Sequence, residues 1–132
     1  MIKSKVFFAF VLCSFSKIAA AEDCYHGAKT QSEMNSCAAA HLLQQETALK
    51  LIIEKILARP SENHELQKQF ARSQVTWQTY RDQWCGLKNI SRPASVNTMV
   101  IAECRAKITK DRFDQLNDEL NCPEGDVACF GL

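Results

Sequence analysis

Six cysteines hold most of the reactive chemistry this chain could offer: Cys24, Cys37, Cys85, Cys104, Cys122 and Cys129. Thiols can bind metal, act as nucleophiles or oxidise to disulfides. Cys24-x-His26 and Cys37-x-x-x-His41 together offer two sulfurs and two imidazoles. Cys37 and His41 would lie one helical turn apart, which resembles a zinc set on paper. No C-x-x-C pair is present, which removes thioredoxin-like redox chemistry and covalent haem attachment. The chain has seven cysteines; once Cys13 is set aside with the leader at the start of the chain, the remaining six form an even set that in a short exported chain reads instead as three disulfides, with 15 connectivities open to sequence alone. Cysteines joined that way have no thiolate left for zinc, so no metal and no cofactor is assigned. The remaining constellations are as negative. There is no G-x-S-x-G, no H-E-x-x-H and no glycine-rich phosphate loop, and the whole chain has four glycines. No spacing brings two acids together in an apolar cleft. The chain is not read as an enzyme.

Four charged residues stand on or beside apolar helical stripes. Arg81 shares a face with Trp77 and Trp84, and Arg112 shares one with Cys104, Ile108 and Leu116; Glu33 and Asp82 complete the set. A charge on a buried stripe needs a partner. Interhelical ion pairs are therefore expected from Glu33, Arg81, Asp82 and Arg112. Arg81 and Asp82 point about 100° apart around a helix, so each should pair elsewhere rather than with the other.

The start of the chain reads as an address. Lys3 and Lys5 precede an apolar run of eight, Val6 to Cys13, too short to span a bilayer. Ala19-Ala20-Ala21 then offers a signal-peptidase site, with Lys17 as an unusual charge nearby. Lipidation on Cys13 is rejected, because Leu12 stands where a small residue is wanted. The expected domains are a cleaved leader, 1–21, a helical domain, 22–120, and a tail, 121–132. Residues 1–21 carry three lysines and no acid, so the remainder has 13 basic and 15 acidic side chains, a net charge of −2 with neutral histidines. One domain is implied, with no basic excess for nucleic acid and no stable membrane anchor. The location should be periplasmic or secreted.

Three long helices must position these residues. Thr30-Gln31-Ser32-Glu33 is a capping box opening a first helix, Gln31 to about Ala58, after an irregular 22–29. Its stripe is Met34, Cys37, Ala38, His41, Leu42, Ala48, Leu49, Ile52 and Ile56. Pro60 ends it, and Ser61 should cap a second helix from Glu62 to about Lys88. Trp77, Tyr80, Arg81 and Trp84 share one face of that helix, which is expected to be the centre of the bundle and the antiparallel neighbour of the first. A loop from Asn89 to Asn97 follows, then a third helix, capped by Ser95 or Asn97 and ending near Leu120. The fold class is all-α, a disulfide-stapled three-helix up-down-up bundle. Sequential pairing suits it. Cys24 can fold back onto Cys37, Cys85 and Cys104 flank the second connection, and Cys122 and Cys129 close a six-residue loop.

Three motifs then stand in order: Glu33-Met34-Asn35-x-Cys37, Trp77-x-x-Tyr80-Arg81-Asp82-x-x-Cys85, and Cys104-x-x-x-Ile108-Thr109-x-x-Arg112-x-x-x-Leu116. This pattern, over about residues 24 to 117, resembles the LprI-like bacterial family, named after a mycobacterial lysozyme inhibitor. The resemblance implies a small exported helical domain whose best-known activity is inhibition of lysozyme. Gln44-Gln45-Glu46 departs from the acidic, alanine-rich run common there, the Cys122 to Cys129 tail lies outside the motif, and the namesake's lipid anchor is missing. The implied partner is lysozyme or another peptidoglycan hydrolase, blocked sterically. Glu124 and Asp126 in the tail loop, and Arg92 in the second connection, are candidate contacts. Alternatives are an immunity or general envelope interaction protein with another target, or a secreted effector.

Overall fold

The computed structural model describes residues 20–60, 63–90, 93–123 and 125–129, with side chains from residue 23. Among these residues four α-helices appear in the order α1 (Ala20–Gly27), α2 (Gln31–Leu57), α3 (His64–Gly86) and α4 (Ala94–Leu120), with a 3-10 turn, Leu87–Asn89, closing α3. The fold is the expected all-α bundle of three long helices, with a short fourth helix at its start.

α2 begins as its sequence requires. The Thr30 hydroxyl accepts from the Glu33 amide at 3.2 Å, and the Glu33 carboxylate accepts from the amides of Lys29 and Thr30 at 2.7 and 2.9 Å. The Lys29 bond, then those of Thr30, hold the Glu33 carboxyl below its usual range. The other helix starts differ from expectation. α3 is capped by Asn63, whose side chain accepts from the Leu66 amide at 2.9 Å; Ser61 and Glu62 lie outside the described residues. α4 starts behind Pro93, so Ser95 and Asn97 sit inside its first turn rather than capping it. Pro93 lacks an N–H, so its fixed backbone opens the helix without losing a donor, and its carbonyl accepts from Val96 and Asn97. Residues expected to be irregular form α1, held to α2 by the Cys24–Cys37 disulfide, with 5.7 Å between the Cα atoms.

The long helices run up, down and up. Gln31 meets Met99, His41 meets Glu103 and Arg59 meets the Leu120 carbonyl, so α2 and α4 are parallel. Arg81 meets Glu46 and Thr109, and Gln74 meets Arg112, so α3 is antiparallel to both. The most extensive packing joins α2 to α4, not either to α3. The expectation that the tryptophan helix is the centre is therefore corrected. Side-chain size gives the reason. At the end holding Cys85–Cys104, the buried apolar side chains are small, Cys37, Ala38, Cys85, Ala102 and Ala106, with Asn97, Thr109 and Arg81 buried beside them. Small residues let the α2 and α4 backbones approach closely. At the other end Leu49, Ile52, Ile56, Phe70 and Leu116 form the main apolar cluster, with Ile53, Trp77, Phe113 and Leu120 against it. The tail is closed by Cys122–Cys129, with Cα atoms 6.2 Å apart.

Candidate functional site

The best-knit polar site is built around Arg81, which is only 4% exposed. Its Nη1 donates to Glu46 Oε1 of α2 and to Thr109 Oγ1 of α4, both at 2.9 Å. Its Nε donates to Asp82 Oδ1 at 3.0 Å. The guanidinium also lies 5.3 Å from the Trp77 ring centroid, a cation–π contact. The expectation that Arg81 and Asp82 would not pair is thus wrong. Asp82 is half-exposed at the helix edge, and the long arginine bends back to it while still reaching both other helices. Arg105 Nε approaches the same carboxylate at 3.1 Å, so Asp82 sits between two guanidiniums. Arg81 and Asp82 make ion pairs across helices, as expected. Among the described residues, Glu33 and Arg112 do not. Glu33 serves the backbone of its own cap, and Arg112 donates to the amide oxygens of Gln74 at 3.1 Å and Gln115 at 2.5 Å. Burial alone lowers the Arg112 pKa.

A second polar knot escapes sequence reasoning. Glu103 of α4 accepts from the Tyr25 hydroxyl at 2.5 Å and meets His41 Nδ1 at 2.9 Å. It thereby fastens α1 and α2 to α4. Burial first, then the Glu103 bond and charge, push the Tyr25 pKa up, so the phenol remains a donor. Tyr25 and Glu103 lie 78 residues apart, and no local spacing signals the contact. Of the residues weighed as a zinc set, Cys24 and Cys37 are bonded to each other, His26 is exposed and His41 faces Glu103. Cys122, Asp126 and Cys129 also bring ligand-type atoms together, but their two sulfurs are joined as a disulfide.

Tyr80 and Trp84, expected inside, are 56% and 51% exposed. Their rings stack 6.4 Å apart at an interplanar angle of 20°. Leu87 and Ile90 continue the exposed line past the end of α3. Depressions flank α3: one, shared with α4, is lined by Phe70, Arg112, Leu116 and Glu119, and two others adjoin the Arg81 and Tyr80 faces. The first of those two, of about 510 Å³, lies between α2 and α3, with Leu49, Ile53 and Trp77 in its wall and Glu46, Lys50 and Arg81 along it. The other is an open trough of about 490 Å³ formed by α3 with Arg112 of α4. Among the contacts expected from the loops, Arg92 and Glu124 lie outside the described residues. Asp126 is exposed, and its carboxylate accepts from the Ala128 amide at 2.9 Å within the tail turn.

Disulfides brace this helical domain, Arg81 is tied into structural pairs, and Tyr80 and Trp84 are turned outward. The family described as lysozyme inhibitor LprI matches residues 21–116. The chain belongs to that family, one of inhibitors rather than enzymes. Comparison with curated proteins gave no match, and comparison with solved structures gave none either.

Proposed function

We propose that this protein binds a peptidoglycan-cleaving glycosidase and blocks its cleft sterically. The family match over residues 21–116 carries this reading. The disulfide-held bundle supports it, because a preformed surface loses little entropy on docking. The test is turbidimetric: several lysozyme classes clear cell-wall suspensions with and without excess oxidised protein. Clearing by at least one class should slow, and the effect should vanish when the protein alone is reduced and alkylated beforehand. Undiminished clearing by every class would remove the reading.

Export is part of the same proposal. Disulfides persist in oxidising compartments, and no described helix is long and apolar enough to cross a membrane. Cleavage after Ala21 would fall inside α1 and leave Cys24 and Tyr25 attached to their partners. The intact mass of the exported protein should correspond to a chain starting at Glu22 with three disulfides. A mass retaining residues 1–21 would refute the cut.

A further inference from the structure

We propose that the trough bounded by Arg72, Trp77, Tyr80 and Arg112 is the surface on which the glycosidase docks, and that it receives a carboxylate-bearing part of that enzyme. This rests on the function proposed above and adds the face and the chemistry.

Burial and charge together mark the trough: Lys29, Lys55, Lys68 and Lys88 also form no ion pair among the described residues, but they are exposed, whereas Arg112 is half-buried. Several cations have acids as ion-pair partners: Arg81 has Glu46 and Asp82, Arg105 has Asp82, and Lys50, Lys107 and Lys110 have acids one turn away on their own helices. The depression between α2 and α3 is neutralised in this way by Arg81–Glu46 and Lys50–Glu54. The trough is not. It is lined by Gln69, Arg72, Ser73, Thr76, Trp77, Tyr80 and Arg112, without one carboxylate. Among the described residues no acid forms an ion pair with Arg72 or Arg112. Arg112 is half-buried, and its guanidinium reaches only neutral amide oxygens, leaving donors of its planar fork unused. Burying part of a cation beside neutral partners is costly, and an incoming carboxylate relieves that cost with charge-assisted hydrogen bonds.

The trough's other wall suits a protein partner. Trp, Tyr and Arg are the residue types that dominate binding energy at interfaces. Tyr80 stands exposed at the edge of the trough and stacks on Trp84, so its ring is held in place before contact. Glycosidases of this kind carry paired carboxylates at the scissile bond, in a cleft an inhibitor must cover. Two guanidiniums that form no ion pair among the described residues, beside rigid aromatics, complement that charge, although Glu119 lines the neighbouring depression with Arg112. The net charge of −2 on residues 22–132 makes the local positive face a feature of placement rather than composition.

The experiment compares four oxidised proteins in the turbidity assay: wild type, Arg72→Gln/Arg112→Gln, Tyr80→Ala and Lys50→Gln. Circular dichroism and thermal melting establish that each is folded. Inhibition should weaken at least about tenfold in the double variant and in Tyr80→Ala, as hot-spot truncations do. Lys50→Gln, on the neutralised side, should inhibit like wild type. Arg112→Lys, added should the double variant melt early, should keep part of the inhibition through its charge. A wild type that inhibits while the double variant and Tyr80→Ala inhibit equally well would overturn this surface and leave the function standing. A wild type that inhibits nothing would remove both. Retention on enzyme-free peptidoglycan, lost in the same variants, would make the trough a glycan site and overturn the enzyme as its occupant.

Discussion

Arg81→Ala is expected to destabilise the bundle by about 2–4 kcal/mol, read as a fall in the urea midpoint at unchanged slope. Three losses add. The side chain is 4% exposed, so its removal leaves a void under Trp77. Thr109, fully buried, loses the donor to its hydroxyl. Glu46 and Asp82 lose a cation, but both are half-exposed and Asp82 keeps Arg105, so this part is screened and small. Relative size therefore decides among substitutions. Arg81→Met fills much of the space and should cost less than Arg81→Ala. Arg81→Lys should cost more than its retained charge suggests, because one ammonium cannot serve Glu46, Asp82 and Thr109 in the places a planar fork reaches. Glu46→Gln, at a half-exposed acid, should stay under about 1 kcal/mol. If Glu46→Gln matched Arg81→Ala, the ion pair rather than packing and the Thr109 bond would be the dominant contribution.

Long amphipathic runs were the legible part of this fold. α2 carries helical spacing over 27 residues, and its start is announced by Thr30 and Glu33. α1 was not legible, because eight residues make a marginal helix on their own. It is held by contacts distant in sequence, Cys24 with Cys37 and Tyr25 with Glu103. The aromatic face was misplaced for a subtler reason. Trp77, Tyr80 and Trp84 lie beside the line through Phe70, Arg81 and Cys85, and spacing alone does not say which line turns inward. The partners decide. Opposite the upper part of α3 stand Ala106 and Thr109, leaving room for a cysteine and a guanidinium fork but not for two more large rings. Arg81 was recognised in sequence as a charge needing partners; its reach back to Asp82 depends on a side-chain bend that helical spacing does not encode. Arg112 was legible as a charge near a stripe, but its pairing with the neutral amides of Gln74 and Gln115 emerges only once α3 and α4 are placed side by side.

Removing the Cys85–Cys104 bridge, as Cys85→Ala/Cys104→Ala, is expected to cost about 3 kcal/mol, the loop-closure value for its separation of 19 residues. Tryptophan fluorescence during urea unfolding reads it directly, since both tryptophans are on α3. The Cys122–Cys129 bridge provides the contrast. Its separation of 7 would give about 2 kcal/mol by the same formula, yet its loop lies beyond α4 and outside the apolar cluster. Opening it frees the tail without loosening a helix, so the global midpoint should barely move. Cys85 is fully buried where α3 meets α4, and the packing of α3 is thin compared with that of α2 on α4. Without the bridge, α3 is held by Phe70 and Leu116 at one end and by the Arg81 network near the other. Loss should therefore loosen the helix that carries Arg72, Trp77 and Tyr80, and the inhibition proposed above should fall under conditions where α2 and α4 remain paired. Equal midpoint shifts from the two bridges would contradict this division of the molecule into a braced α3 and a dispensable tail loop.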